Sequence, residues 1–282
     1  MTSDATIQLR SADGATAELF RHGAHVTSWR PASDGEERLF LSRRSEFTAG
    51  AAIRGGIPII FPQFAAEGPL PRHGFARTSD WAPARVKRHP DGDASLELEL
   101  RDTPRTREIW PASFRALLGV RVGGDALRVT LTVENTGHER MAFTCALHTY
   151  LRVRDVADVE LVGLHGAPYR VSGSRDLQHS DNDEVLRVTG EIDRVYVGVP
   201  RRLTLREPHR ALAIEGEGFP DAVIWNPGAE RAAALPDMEP DGERRMLCVE
   251  AAVVQQPVEL EPGRRFSGSC RLVALAGSDG RS

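Results

Sequence analysis

Glu250 is the single charge in an otherwise apolar run, Met246-Leu247-Cys248-Val249-Glu250-Ala251-Ala252-Val253. Read as a strand, the run puts Met246, Cys248, Glu250 and Ala252 on one face and Leu247, Val249, Ala251 and Val253 on the other. A buried carboxylate is costly unless it is paired or hydrogen-bonded. Burial would raise its pKa and make it a stronger base at neutral pH than a surface glutamate. The same residue could instead be a structural partner for one of the many arginines. A second run, Thr144-Cys145-Ala146-Leu147-His148-Thr149-Tyr150, places Ala146, His148 and Tyr150 on one strand face. His148 could line a pocket there, or be a core histidine with a hydrogen-bond partner.

Two further segments interrupt the apolar patterning. Arg54-Gly55-Gly56-Ile57-Pro58-Ile59-Ile60-Phe61-Pro62-Gln63-Phe64 is followed, after a short spacer, by His73-Gly74-Phe75-Ala76-Arg77. Gly55 and Gly56 allow unusual backbone angles and close approach, while Pro58 and Pro62 stiffen the chain around and beyond them. This reads as a rigid loop carrying Arg54, Gln63, His73 and Arg77, either a ligand-binding loop or a sandwich corner. Asp221 begins Asp221-Ala222-Val223-Ile224-Trp225-Asn226-Pro227-Gly228, an acid coupled to a strand and a tight turn. It could hydrogen-bond a ligand hydroxyl or shape the start of the strand after Pro220.

Other chemistries find no support. His22 and His25 would point to opposite strand faces and would not chelate one metal. There is no Walker loop, no dinucleotide fingerprint after a strand and no Gly-x-Ser-x-Gly elbow. The acidic stretch Ser180 to Glu184 lacks a calcium-loop pattern and reads as solvated.

The elements that must position these residues are short alternating strands. Leu96, Leu98 and Leu100 share one face of the segment from Ser95, with Glu97 and Glu99 on the other. Leu127, Val129, Leu131 and Val133 repeat the pattern before the turn residues Asn135-Thr136-Gly137. Leu203 and Leu205 mark another strand, with Ala211 to Glu215 as its partner. Turn signals such as Asp34-Gly35, Pro90-Asp91-Gly92 and Glu261-Pro262-Gly263 separate them. The best helix is Pro104 to Trp110, where Thr103 could cap and Pro104 would take the first helical position. Many short strands and scarce helix imply an all-β antiparallel sandwich. Without a fixed repeat or long linker, residues 1–282 read as one domain, with Ser172 to Asp183 a surface loop and 277–282 a frayed tail.

A chain of 282 residues with 40% hydrophobic residues suits one soluble all-β domain. No apolar run approaches a bilayer span, and Met1 to Leu9 lacks a signal-peptide pattern, so the cytoplasm is the expected compartment. Cys145, Cys248 and Cys270 are too few and too widely spaced for a disulfide framework or zinc pattern. They read as small buried hydrophobes. A formal net charge of -4 argues against general nucleic-acid binding. Lys87 is the only lysine, so arginine abundance by itself says nothing about phosphate.

Taken in order, these segments resemble the aldose 1-epimerase superfamily, and within it the hexose-6-phosphate mutarotase branch. The landmarks are Gly23 to Trp29, Arg54 to Phe64, His73 to Arg77, Ala146 to Tyr150, Gly190-Glu191-Ile192-Asp193-Arg194-Val195-Tyr196, Asp221 to Pro227 and Cys248 to Glu250. The resemblance implies an antiparallel β-supersandwich of the galactose mutarotase-like kind, with few short helices. It implies His148 as general acid and Glu250 as general base, with Glu250 ionised and His148 protonated at the start of a cycle. It implies His73 and Asp221 as sugar-hydroxyl ligands, Gln63 beside them in the substrate-binding set, and Arg54 and Arg77 as phosphate ligands. Gly228 and Arg231 depart from the branch, which often has an aromatic residue and a lysine there. The implied substrate is a phosphorylated hexose, handled by a monomer without metal, nucleotide or other cofactor. The rival readings are a free-aldose epimerase, a non-catalytic carbohydrate-binding module, and a glycoside hydrolase using Asp221 with Glu250.

Overall fold

The structure is a computed structural model that describes residues 6–276 apart from 175 and 178. The expected tail, 277–282, lies outside the described residues. The alternation read from the sequence becomes two large antiparallel sheets. Phe114–Gly123 and Ala126–Asn135 form a hairpin in which alternate residues are buried. They sit in a nine-stranded sheet, whose order is 185–186, 160–162, 202–207, 210–217, 265–275, 126–135, 114–123, 94–101 and 82–88. Leu203 pairs with Ile214 and Leu205 with Leu212, as expected for that hairpin.

The second sheet has eight strands. Its order is 179–180, 168–171, 192–196, 221–226, 246–260, 141–147 and 59–60, with 150–152 also paired to 246–260. Register assigns its faces, because residues directly opposite in antiparallel strands share a side. Val249 lies opposite Ile224, and Ala251 opposite both Ala222 and Leu147. These residues join the main core, together with Leu118, Leu131 and Leu272 of the nine-stranded sheet. A small sheet of Thr6–Arg10, Thr16–Phe20 and His25–Arg30 adds Leu9, Leu19 and Trp29 to that core. The other face of the eight-stranded sheet carries Cys248 opposite Trp225, and Glu250 opposite Val223. Loops cover it.

The helix Pro104–Ile109 forms where expected, with Thr103 accepting from the Thr106 N–H. A second helix, Gly228–Ala233, was not evident from the sequence, being only six residues long. The segment around His148 also differs from the expected continuous strand. Met141–Leu147 and Tyr150–Arg152 are separate, with His148 and Thr149 between them. Ile59–Ile60 pairs with Ala146 and Leu147, and the His148 N–H then donates to the Pro58 carbonyl. Proline has no N–H to return, so the ladder cannot continue. In the expected surface loop 172–183, His179–Ser180 pairs with Pro168 and Tyr169. Asp181 is buried there, not solvated, because the Tyr196 hydroxyl donates to it at 2.7 Å with Arg194 beside it at 3.3 Å.

Gly56 fixes the loop that starts at Arg54. Its φ is +61°, and a Cβ would lie 2.2 Å from the Val26 carbonyl oxygen and 2.6 Å from His25 Nε2. Gly56→Ala is therefore expected to destabilise the fold by roughly 2–4 kcal/mol, combining left-handed strain with overpacking. Urea denaturation of variant and parent measures it; a loss under about 1 kcal/mol would mean the loop yields freely.

Candidate active site

On the loop-covered face, His148 and Glu250 meet. His148 Nδ1 lies 3.3 Å from Glu250 Oε1, and Glu250 is 1% exposed. The geometry is contact without an aligned hydrogen bond: His148 Nδ1 and Glu250 Oε2 are both buried with no hydrogen-bond partner. The imidazole stacks on Tyr150 with centroids 4.8 Å apart and planes 8° apart, and Trp225 meets it edge-on. Three aromatic contacts, including the edge of His73 at 5.8 Å, fix the ring's orientation.

Electrostatics push both groups toward their neutral forms. Burial, reinforced by the charge of Asp193, raises the Glu250 pKa well above the usual carboxylate range, against the opposing pull of Arg77. Burial, His73, Arg77 and Arg54 hold His148 well below the usual imidazole range. Both directions run against the expected resting state, Glu250 ionised and His148 protonated: the shared proton favours the carboxyl.

The loop from Arg54 to Arg77 supplies the cationic wall. Arg54 is already engaged, donating to Asp237 Oδ2 from Nε at 3.2 Å and to the Tyr150 hydroxyl from Nη1 at 2.9 Å. Arg77 differs. Its Nε is buried without a partner, its Nη2 reaches only the Arg72 carbonyl, and among the described residues it forms no ion pair. Burial and the neighbouring Arg54 and Arg72 lower its pKa, with Tyr150 opposing. A half-buried guanidinium with its Nε buried and no carboxylate partner is a ready anion site. His73 has φ +66° and accepts from the Ala65 N–H through Nδ1. Burial, then Arg77, pushes its pKa down to about 2, so it is neutral, with its proton on Nε2 as a fixed donor.

Two expected ligands have other work. Gln63 was expected in the substrate-binding set. Its Nε2 donates to the Ala65 and Leu70 carbonyls and its Oε1 accepts from the Leu70 N–H, so the amide is consumed in pinning the loop. Asp221 was expected to bind a sugar hydroxyl. Its Oδ2 instead accepts from the backbone N–H groups of Val254 and Gln255, both at 2.9 Å, where the strand Met246–Leu260 shifts register between Val253 and Val258. A bulge frees N–H groups that need an acceptor.

Asp193 was missed. It faces the same side as Val195, which is fully buried, and sits opposite Trp225. Burial raises its pKa despite Arg231 at 3.9 Å. With Arg72, Arg231, Ser172 and Glu67 it lines a cleft of about 550 Å³. The parity of Ile192-Asp193-Arg194-Val195 was the available signal. Gly228, a departure from the branch pattern, has φ +63°, and a Cβ there would lie 2.8 Å from the Glu191 backbone nitrogen.

Comparison with known proteins agrees with this architecture. The family model described as aldose 1-epimerase matches residues 5–273. A relative from Cenchrus ciliaris, provisionally named glucose-6-phosphate 1-epimerase, is 36% identical over 96% of this chain and 85% of its own. One of the same provisional name from Escherichia coli K12 is 34% identical over 91% of this chain and 86% of its own. A crystal structure of a provisionally assigned mutarotase from Salmonella typhimurium superposes with a TM-score of 0.87 at 28% identity, covering 96% of this chain and 90% of that one.

Two stability measurements test these assignments. Asp221→Ala strands two N–H groups and is expected to cost about 2–4 kcal/mol, with Asp221→Asn milder; no loss in chemical denaturation would release Asp221 from the bulge. Glu250 has a folded-state pKa raised above its unfolded value of 4.5, so the native state holds a proton the unfolded chain gives up. Native stability should therefore fall as pH rises above about 4.5, and Glu250→Gln should gain on the parent progressively as pH rises from there. A pH-independent difference would contradict the raised pKa.

Proposed function

This chain belongs to the aldose 1-epimerase family, and we propose that its pocket interconverts the α and β anomers of a hexose 6-phosphate, most simply glucose 6-phosphate. Family membership supports an anomer-exchanging epimerase. The observation that carries the acid–base assignment is the buried 3.3 Å approach of His148 and Glu250 on a rigid sheet face. Glu250 takes the proton of the anomeric hydroxyl while His148 delivers one to the ring oxygen. The ring opens to the aldehyde, the C1–C2 bond turns, and closure reverses both transfers. Each such transfer typically contributes ~10²–10⁴-fold.

The neutral pair fits this cycle. Carboxyl plus imidazole and carboxylate plus imidazolium hold the same number of protons, so one proton moved from Glu250 to His148 Nδ1 generates base and acid together. His148 Nε2 is then the donor to the ring oxygen. A phosphate on Arg77 offsets one of the positive charges that hold His148 down, and so favours that transfer. Arg77, lacking a carboxylate, leads the phosphate grip, while Arg54 is tied to Asp237 and buttresses Tyr150. The same grip fixes the sugar against the pair. In this reading Asp193 and the Nε2–H of His73 hold ring hydroxyls.

Polarimetry of freshly dissolved α-glucose 6-phosphate, with α-glucose in parallel, tests the proposal. Acceleration of the phosphorylated sugar is expected. Arg77→Ala should cost about 2–5 kcal/mol of phosphosugar binding without changing exchange of the free sugar. Equal acceleration of both sugars by the parent would favour the free-aldose reading. Glu250→Gln should abolish turnover while keeping phosphosugar binding; near-normal turnover in that variant would remove Glu250 from the mechanism.

A further inference from the structure

Mutarotation as described leaves a third side chain beside the acid and base unused. Cys248 lies two residues before Glu250 on the same strand face, opposite both Tyr150 and Trp225. Its sulfur, a ring nitrogen of His148 and a carboxylate oxygen of Glu250 all lie within 4.8 Å of one another, and all three residues are buried. Two of their polar atoms lack hydrogen bonds: His148 Nδ1, 3.3 Å from Glu250 Oε1, and Glu250 Oε2 are buried without hydrogen-bond partners. Such orphans are rare in native interiors and call for an occupant.

The donor set decides which occupant. Thiolate, imidazole and carboxylate together are the ligands of Zn²⁺, whose bonds of about 2.0–2.3 Å put tetrahedral donors on the order of 3.5 Å apart. From a spread of 4.8 Å, reaching that spacing is a shift on the order of 1 Å. The charges also balance, since one thiolate and one carboxylate neutralise a divalent ion. Mg²⁺ and Ca²⁺ demand oxygen ligands and gain nothing from sulfur. We propose that His148, Cys248 and Glu250 form an inhibitory site for a thiophilic divalent cation, Zn²⁺ foremost, seated on Nδ1, Sγ and the carboxylate. A cation there takes the electron pairs with which Glu250 accepts the anomeric proton, so exchange stops without any change in fold. The fourth coordination position stays open to water or a sugar oxygen. Only the inhibitory consequence rests on the reading of Glu250 as the base; occupancy of the site does not.

The test uses the full-length protein freed of metal by a chelator. Co²⁺ should bind with 1:1 stoichiometry and produce a thiolate-to-metal charge-transfer band in the near ultraviolet. Zn²⁺ should displace that band and stop anomer exchange on glucose 6-phosphate, reversibly on adding chelator, while Mg²⁺ does neither. Cys248→Ser and Cys248→Ala should retain exchange in metal-free buffer. Their half-inhibiting Zn²⁺ concentration should rise on the order of 100-fold or more, since even supporting residues around a metal contribute 10–100-fold. Absence of the cobalt band in the parent protein overturns the site whether or not the variants fold, and equal Zn²⁺ sensitivity of parent and folded variants overturns it as well. A cobalt band with exchange unimpaired at saturating Zn²⁺ overturns the inhibitory role and counts against Glu250 as base. Metal-free protein without exchange activity would overturn the proposed function, leaving the band to decide the site.

Discussion

Glu250 has 1% of its surface exposed, in a strand flanked by apolar neighbours, and its second carboxylate oxygen has no hydrogen-bond partner. An ion in that position is expensive, by several kcal/mol even after relaxation. The surroundings are arranged around this cost. Asp193 on a nearby strand raises the proton affinity of the carboxyl, Arg77 lowers it, and His148 stands 3.3 Å away as the alternative home for the proton. Burial leaves the proton on the carboxyl, with the imidazole in contact as its alternative home.

The polar residues around this pair divide by what holds them. Gln63, Asp221 and Asn226 resemble ligands by type, yet each is held by backbone groups, Asp221 through Oδ2: a loop, a strand bulge and the junction before the helix Gly228–Ala233. They fasten. Arg77 and His73 keep a group uncommitted, and Asp193 lines the cleft with Arg231 3.9 Å away. Arg54 stands between the classes, bound to Asp237 on one edge and to the Tyr150 hydroxyl on the other. Through Tyr150, which stacks on His148, it connects the anion wall to the imidazole.

Much of this is legible in the order of residues alone. The face parity of Cys248 and Glu250 comes from a two-residue period, and register bears it out. The alternating leucines of the outer sheet and the Thr103 cap are equally plain. Hydrogen-bond commitment is not. An aspartate that supports a bulge and one that faces a ligand are the same letter, and Asp221 looks the better ligand than Asp193 because bulges leave no mark in a period-two pattern. The break at His148 depends on Pro58, nearly a hundred positions earlier, supplying a carbonyl but no N–H. The position of the shared proton depends on burial, which no local pattern encodes. Asp237 carries no sequence signal at all.

The tie between Arg54 and Asp237 joins residues 183 positions apart, and His148 finds Glu250 only across a hundred intervening residues. Contacts of such span form late, because the loop entropy must be overcome before the contact returns anything. On a ribosome adding about 5–20 residues per second, the strands through Leu147 can emerge and pair well before Met246 exists. The hairpins of the nine-stranded sheet up to Asn135 can therefore form before His148 meets Glu250, and that sheet closes only when 265–275 is made. A chain arrested before the strand Met246–Leu260 holds His148 without its carboxyl neighbour, and the buried pair is complete only once that strand is in place.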